Sequence, residues 1–342
     1  MRKISTLGTI LLLVAAAAPS TYASDWRISI PSREGLDEAR LTRLDARIRA
    51  ALPHVRSLLI ARHGSLVFEH YYGDASPEKL HNIQSMTKSV SSALVGIALK
   101  KRLIKSLDNK VLDYYPEYRS VISDQRVREI TIRHLLTMAS GIDEMQLSFD
   151  KVLSDPIAEI LRQRLLYRPG GGFKYSSPAA HLLGGVLRKA TGTSVLGFAQ
   201  TELFHPLGLG RVEWYADSKG LQSGGLSGLW RSRDVLKLGE LYLRHGTWCG
   251  AELISPAYIA ESVTVQNRGE FYGEKASYGF MWWITSTGGH GAFYARGFGG
   301  QYLMVIPWAD LVVLCTSDWK QPEYPEHFAL VEEFILPAIA SN

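Results

Sequence analysis

The sequence predicts an α/β fold in which one antiparallel sheet is assembled from both ends of the chain, with flanking helices and a mostly helical inserted subdomain. Three observations lead there. Strand-like apolar runs crowd residues 55–72 and return only from about residue 278; helical spacing and loop punctuation fill the stretch between them; and 342 residues exceed what one minimal core needs.

In chain order, Met1-Arg2-Lys3, the apolar stretch from Leu7 to Ala18 and Thr21-Tyr22-Ala23 form the three parts of a secretory signal peptide, residues 1–23, with cleavage expected after Ala23. The stretch is short for a membrane span and no cysteine lies near the cut, so no stable membrane anchor is expected. The product is expected to be periplasmic or secreted. Leu58-Leu59-Ile60 and Leu66-Val67-Phe68 flank His63-Gly64 as a tight β-hairpin. A helix follows from Ser85, its apolar positions Met86, Val90, Ala93, Leu94 and Ile97 falling on one stripe. Residues 24–105 plus 266–342 are read as the sheet domain and 106–265 as a helical subdomain facing a cleft. Within the latter, the helical His134–Met138 run stops at Gly141, and Val235–Leu243 follows an Asp234 suited to the N-cap region. Strand signals return at Tyr278–Ile284, then Gln301–Ile306 and Leu311–Leu314 flank Pro307-Trp308-Ala309-Asp310 as a second hairpin, and Phe328–Ile339 reads as a closing amphipathic helix.

Charge excludes one class of partner. The 38 lysines and arginines against 33 acidic residues leave +5, spread along the chain without a basic cluster, which does not support nucleic-acid binding. The ten histidines show no metal-ligand spacing, and no metal or organic cofactor is implied. Cys249 and Cys315 could pair in an oxidising compartment, although the apolar run around Cys315 suits a buried free thiol.

Chemistry concentrates at three places. Ser-x-x-Lys occurs four times, but only Ser85-Met86-Thr87-Lys88 opens a long helix; proline or a strand context disposes of those at Ser76, Ser148 and Ser317. A lysine one helical turn after a serine can help remove its proton, and a helix N-terminus stabilises an alkoxide or oxyanion. The alternative is a polar helix start with a solvated lysine. In Tyr175-Ser176-Ser177-Pro178, Ser177 reads as an N-cap with Pro178 first in the helix and Gly192 as the stop, holding Tyr175 just outside a rigid helix, where it could also simply pack. The glycines of Pro169-Gly170-Gly171-Gly172 read as a turn. Gly297-Phe298-Gly299-Gly300-Gln301 places glycines at a strand, as where a ligand or backbone comes close; an edge strand there can offer an N–H to an oxyanion, and a bulge or sheet corner is the alternative.

In this order the pieces resemble the serine hydrolases of the β-lactamase and penicillin-binding-protein superfamily, in the branch of class C β-lactamases, D-alanyl-D-alanine carboxypeptidases, related esterases and 6-aminohexanoate-dimer hydrolase. The similarity extends through His134-Leu135-Leu136-Thr137, Ser140-Gly141 and Pro206-Leu207-Gly208. It implies a β-lactamase/transpeptidase-like fold with Ser85 as nucleophile, Lys88 and Tyr175 as catalytic partners, and Ser177 in the slot of the family's asparagine. It further implies Ala295-Arg296-Gly297 in the slot of Lys-Thr-Gly, the N–H of Phe298 opposite that of Ser85 in an oxyanion hole, and Gly297, Gly299 and Ser177 near the substrate. Asp143, Glu144, Met145 and Trp282-Trp283 are placed along the cleft by the same analogy. Two departures stand out. Ser177 lacks the amide, and Ala295 lacks the lysine charge, which Arg296 is not expected to replace because neighbouring strand residues point to opposite faces. The expectation is an exported hydrolase acting on a small-molecule ester, amide or β-lactam through a Ser85 acyl-enzyme, with substrates lacking a carboxylate beside the cleaved bond preferred. A β-lactamase or carboxypeptidase, and a non-catalytic penicillin-binding or sensor module, are the rivals. The sequence does not indicate the oligomeric state.

Overall fold

The computed structural model describes residues 25–144, 154–271, 274–320 and 327–340; the signal-peptide reading of residues 1–23 and Met145 lie outside them. The chain opens with β1 (Arg27–Ile28), α1 (Glu38–Ala51), β2 (Val55–Arg62) and β3 (Ser65–Tyr71), the last two joined by the two-residue turn His63-Gly64. β4 (Leu80–Asn82) leads through a single 3₁₀ turn, Gln84–Met86, into α2 (Thr87–Lys100). Helices α3 (Val111–Tyr114), α4 (Ile132–Leu136), α5 (Pro156–Arg162), α6 (Ser177–Thr191) and α7 (Val195–Ala199) follow, then β5 (Glu213–Trp214), β6 (Gly228–Arg231), α8 (Ser232–Leu243), β7 (Thr247–Trp248), β8 (Ala251–Glu252) and α9 (Pro256–Ser262). The last stretch supplies β9 (Asn267–Phe271), β10 (Glu274–Tyr278), β11 (Trp283–Thr287), β12 (His290–Gly297), β13 (Gln301–Ile306), β14 (Leu311–Ser317) and α10 (His327–Leu330).

Among the described residues, nine strands make the main sheet in the order β1-β3-β2-β14-β13-β12-β11-β10-β9, antiparallel throughout except for the β1–β3 pair. The early hairpin and the late strands therefore meet at β2 and β14, where Val313 pairs with Ile60. This is a mixed α/β fold with a central, mostly antiparallel sheet and helices on both faces. Alternation along the central strands explains why their sequences look uniformly apolar. Leu303, Val305, Val312 and Leu314 face the large core shared with α2, α6 and α8, whereas Met304, Ile306, Val313 and Cys315 face a second core under α1 and the C-terminal helical turns.

Local departures have local causes. The Tyr278–Ile284 run is split: β10 ends at Tyr278, residues 279–282 form the connection, and β11 starts at Trp283. The C-terminal run is helical but changes winding, passing from α10 through π-type (Val331–Ile335) to 3₁₀-type turns (Leu336–Ala338). Asp234 lies inside the first turn of α8, bonded back to Arg231 Nε at 2.9 Å. The two cysteines are not bonded to each other: Cys249 is exposed and Cys315 is buried, its thiol pushed up to about 12 by desolvation.

Candidate active site

Ser85 sits in the 3₁₀ turn immediately before α2, and the turn is held tightly. Asn82 Oδ1 accepts the Gln84 N–H at 2.9 Å, the Ile83 N–H reaches the Gly228 carbonyl at 2.9 Å, and Gln84 takes a φ of 49°, a left-handed backbone that few non-glycine residues adopt. Strain of this kind persists only where its surroundings enforce it. Here β12 does so from the other side: a β-carbon on Gly297 would collide with the Ile83 carbonyl oxygen, so glycine lets the strand end pack against the nucleophile turn.

α2 is buried all round rather than along one stripe, and its polar residues find partners inside. Ser89 and Ser91 donate to the Met281 and Gly224 carbonyls, each at 2.7 Å, and Ser92 meets the Tyr258 hydroxyl at 3.0 Å. Lys88 is only 1% exposed. Its Nζ lies 3.1 Å from Ser85 Oγ, 3.2 Å from Ser177 Oγ and 2.9 Å from the Gly225 carbonyl, which accounts for all three donors of an ammonium group. It also stands 4.7 Å from the centre of the Tyr175 ring. Burial lowers its pKa to about 8, opposed by the charge of Glu144. A solvated lysine is thereby excluded.

α6 begins one residue earlier than the sequence suggests. Ser176 is the N-cap, accepting the Ala179 N–H at 3.1 Å, so Ser177 and Pro178 are the first two helical residues. This turns Ser177 Oγ inward to Lys88. The first helical N–H, that of Ser177, is accepted by the Glu144 carboxylate. Tyr175 does pack, 4.8 Å from the Phe271 ring and stacked at 5.4 Å on Trp283.

These side chains open onto a cavity of 480 Å³. Ser85, Tyr175, Ser177, Gly297 and Phe298 all line it, as do Glu144 and Trp283. Several expectations are corrected. Gly299 is not in the cavity wall; it has a φ of +70°, and a β-carbon there would collide with the Trp319 backbone. Trp282 belongs to the core, against Tyr242 at 4.5 Å, and Asp143 is turned to Lys174 at 3.3 Å. Another concerns Arg296. Strand alternation holds, but its consequence is reversed: Ala295 is buried in the core, whereas Arg296 lines the cavity with its guanidinium 5.6 Å from the Phe271 ring centre. The third motif thus retains a cation, displaced by one position. Neither is β12 an edge strand as a whole. It pairs with β11 up to Tyr294, and only Ala295–Gly297 is left paired to β13 alone.

Sequence reasoning missed the Gln84 backbone, the capping role of Glu144, and Leu226, Glu270 and Phe271 in the cavity wall. Asn82, two residues before Gln84, carried a usable signal, since asparagine side chains commonly bond the backbone two residues on. Nothing in the residues around 226 or 270 marks them.

The profile of the Beta-lactamase family matches residues 45–333. Esterase EstB of Burkholderia gladioli is 29% identical over 209 residues, covering 52% of this chain and 53% of that protein; the chain thus matches about half of EstB's length. The 6-aminohexanoate-dimer hydrolase of Paenarthrobacter ureafaciens is 23% identical over 300 residues, covering 78% of this chain and 73% of that one. Among solved structures, a family VIII carboxylesterase superposes with a TM-score of 0.75 at 19% identity, over 90% of this chain and 98% of its own, a likeness of fold. A match spanning most of the chain, on a fold shared with these proteins, means that this protein belongs to the Beta-lactamase family.

Proposed function

We propose that this protein is an exported serine hydrolase that cleaves an ester or amide bond through a Ser85 acyl-enzyme. The observation that carries the reading is the buried Lys88 amine, 3.1 Å from Ser85 Oγ at the edge of a cavity open to small molecules. Family membership and the names of EstB and the 6-aminohexanoate-dimer hydrolase support the ester or amide class.

In the proposed cycle Ser85 Oγ attacks the substrate carbonyl while its proton passes to the Lys88–Tyr175 pair. The N–H groups of Ser85 and Phe298 hold the oxyanion. Collapse breaks the ester or amide bond, the stored proton goes to the departing alcohol or amine, and a water molecule then hydrolyses the acyl-serine with the same groups taking and returning its proton. Aromatic faces of Tyr175, Phe271 and Trp283 give the cavity an apolar wall for the substrate's body.

Fluorophosphonate labelling followed by intact-protein mass spectrometry and peptide mapping tests the nucleophile, with one adduct expected on Ser85 and none in Ser85→Ala. Label on another serine refutes the assignment. Export is supported by the N-terminal residues alone, and the mature N-terminus of the protein recovered outside the cytoplasm tests it, with cleavage expected after Ala23. A second reading, β-lactam or peptide hydrolysis, is favoured by Arg296, whose guanidinium in the cavity wall suits a substrate carboxylate.

A further inference from the structure

Glu144 joins two things the catalytic reading leaves separate. Its carboxylate accepts the Ser177 N–H at the start of α6, where a negative group also meets the positive end of the helix dipole, and it lines the cavity beside Ser85 and Ser177. Ser177 in turn holds Lys88 through its Oγ. The neighbouring Asp143–Lys174 pair, at 3.3 Å, and the Lys174 N–H to Met138 carbonyl bond, at 2.9 Å, fasten the same two chain segments together. Glu144 is therefore held in place and is not a surface carboxylate that happens to point inward.

We propose that Glu144 is a positioning residue of the acyl-transfer unit, which seats Ser177 against Lys88 and sets the pH range in which Lys88 can take the Ser85 proton. The proposal rests on the acyl-enzyme reading above. Around Lys88 stand the Ser85 hydroxyl, the Ser177 hydroxyl, the Gly225 carbonyl and the Tyr175 ring. None of these carries a negative charge at neutral pH while the tyrosine is protonated, so the carboxylate that opposes the effect of burial on Lys88 is Glu144. Of the other charged groups in the cavity wall, Lys174 is tied to Asp143, and Glu270 and Arg296 come from β9 and β12. With Glu144 neutralised, Lys88 gives up its proton at lower pH.

The test compares Glu144→Gln, which keeps an oxygen for the Ser177 N–H but loses the charge, with Glu144→Asp, which keeps the charge but shortens the reach. Two quantities are read from pH 5 to 10: the rate at which a fluorophosphonate labels Ser85, and the Lys88 titration by ¹³Cε NMR, its signal assigned by loss in Lys88→Met. Glu144→Gln is expected to move both curves about one unit toward acid, so that labelling at pH 6.5 rises about tenfold while the alkaline plateau stays within about threefold. Glu144→Asp is expected to keep the wild-type midpoint with a lower plateau. Coincident midpoints for wild type and Glu144→Gln, or the same displacement in Glu144→Asp, overturn the proposal. Absence of label on wild-type Ser85 refutes the acyl-enzyme reading instead, and the NMR titration still decides whether Glu144 sets the Lys88 proton.

Discussion

Two lysines in this protein are equally hidden, Lys88 on α2 and Lys237 on α8, each 1% exposed, yet their surroundings differ. Lys237 stands 3.9 Å from the fully buried Asp234 carboxylate and donates to the Gly208 carbonyl at 3.0 Å; Asp234 is also bonded by Arg231. Lys88 has two hydroxyls and a carbonyl, and among the described residues no carboxylate within ion-pair distance. Burial lowers the pKa of both, but Asp234 works directly against it at Lys237. Burial alone thus does not mark a base. On the reading proposed above, what suits Lys88 to that role is a set of partners that accept its hydrogen bonds without adding a negative charge beside it.

The sharpest test of that contrast removes the Ser85 hydroxyl that Lys88 contacts. Ser85→Ala is expected to keep the wild-type melting temperature within a few degrees and to lose on the order of 10⁶ in turnover, measured with a p-nitrophenyl ester. Next comes the pair itself. Lys88→Met is expected to cost about 10²–10⁴ in kcat/KM with stability unchanged or raised, since it removes a buried amine that no contacting carboxylate supports. Lys237→Met is expected to keep the specific activity of the folded protein but to lose about 3 kcal/mol in urea unfolding, because Asp234 stays buried with one of its two cationic neighbours gone, leaving Arg231 and the Gly210 N–H to offset it. Swapped phenotypes would break the comparison.

A smaller effect separates the two substrate readings. If Arg296 holds a substrate carboxylate, a charge-assisted contact worth about 1.5–3 kcal/mol is lost in Arg296→Gln. Nitrocefin kcat/KM then falls about ten- to a hundredfold relative to the ester, whereas a flat ratio removes the β-lactam reading. Lysine at position 295 would be a poor probe, because Ala295 lies in the core. The smallest effect is one of pH. A Lys88 pKa of about 8 means that the base form grows as pH rises through that value, so ester kcat/KM is expected to drop about tenfold per unit below pH 8. No limb between pH 7 and 9 would show that the Lys88 proton does not gate the reaction.

Period and punctuation made the fold legible: Leu58–Ile60 and Leu66–Val67 about His63-Gly64, and the Gln301–Leu314 hairpin, are strands where the apolar runs predict them. Strand runs at both ends with helices between them were enough to indicate one sheet drawn from both termini, but the particular pairing of β2 with β14 does not follow from local pattern. At the site, the Ser85–Lys88 spacing was readable because one helical turn fixes it. Lys88's burial was not, since the residues that cover it, Tyr175, Ser177 and Gly225, come from elsewhere in the chain. Two adjacent serines made the start of α6 ambiguous by one residue. Arg296 shows a different limit: alternation separates it from Ala295, but which face opens to the cavity depends on where β11 stops covering β12.

A sheet drawn from both chain ends also has a history. While the protein is being synthesised, β2 has β3 on one side and nothing on the other until residues 311–317 exist. Its inner edge, apolar on both faces, is a template for wrong pairing throughout that interval. A chain cut before β14 therefore loses an internal strand of its sheet, and with it the join between the two halves. Such a chain is a candidate for aggregation rather than for a smaller working enzyme, because the pairing that completes the fold is among the most distant in sequence and pays its loop-closure entropy last.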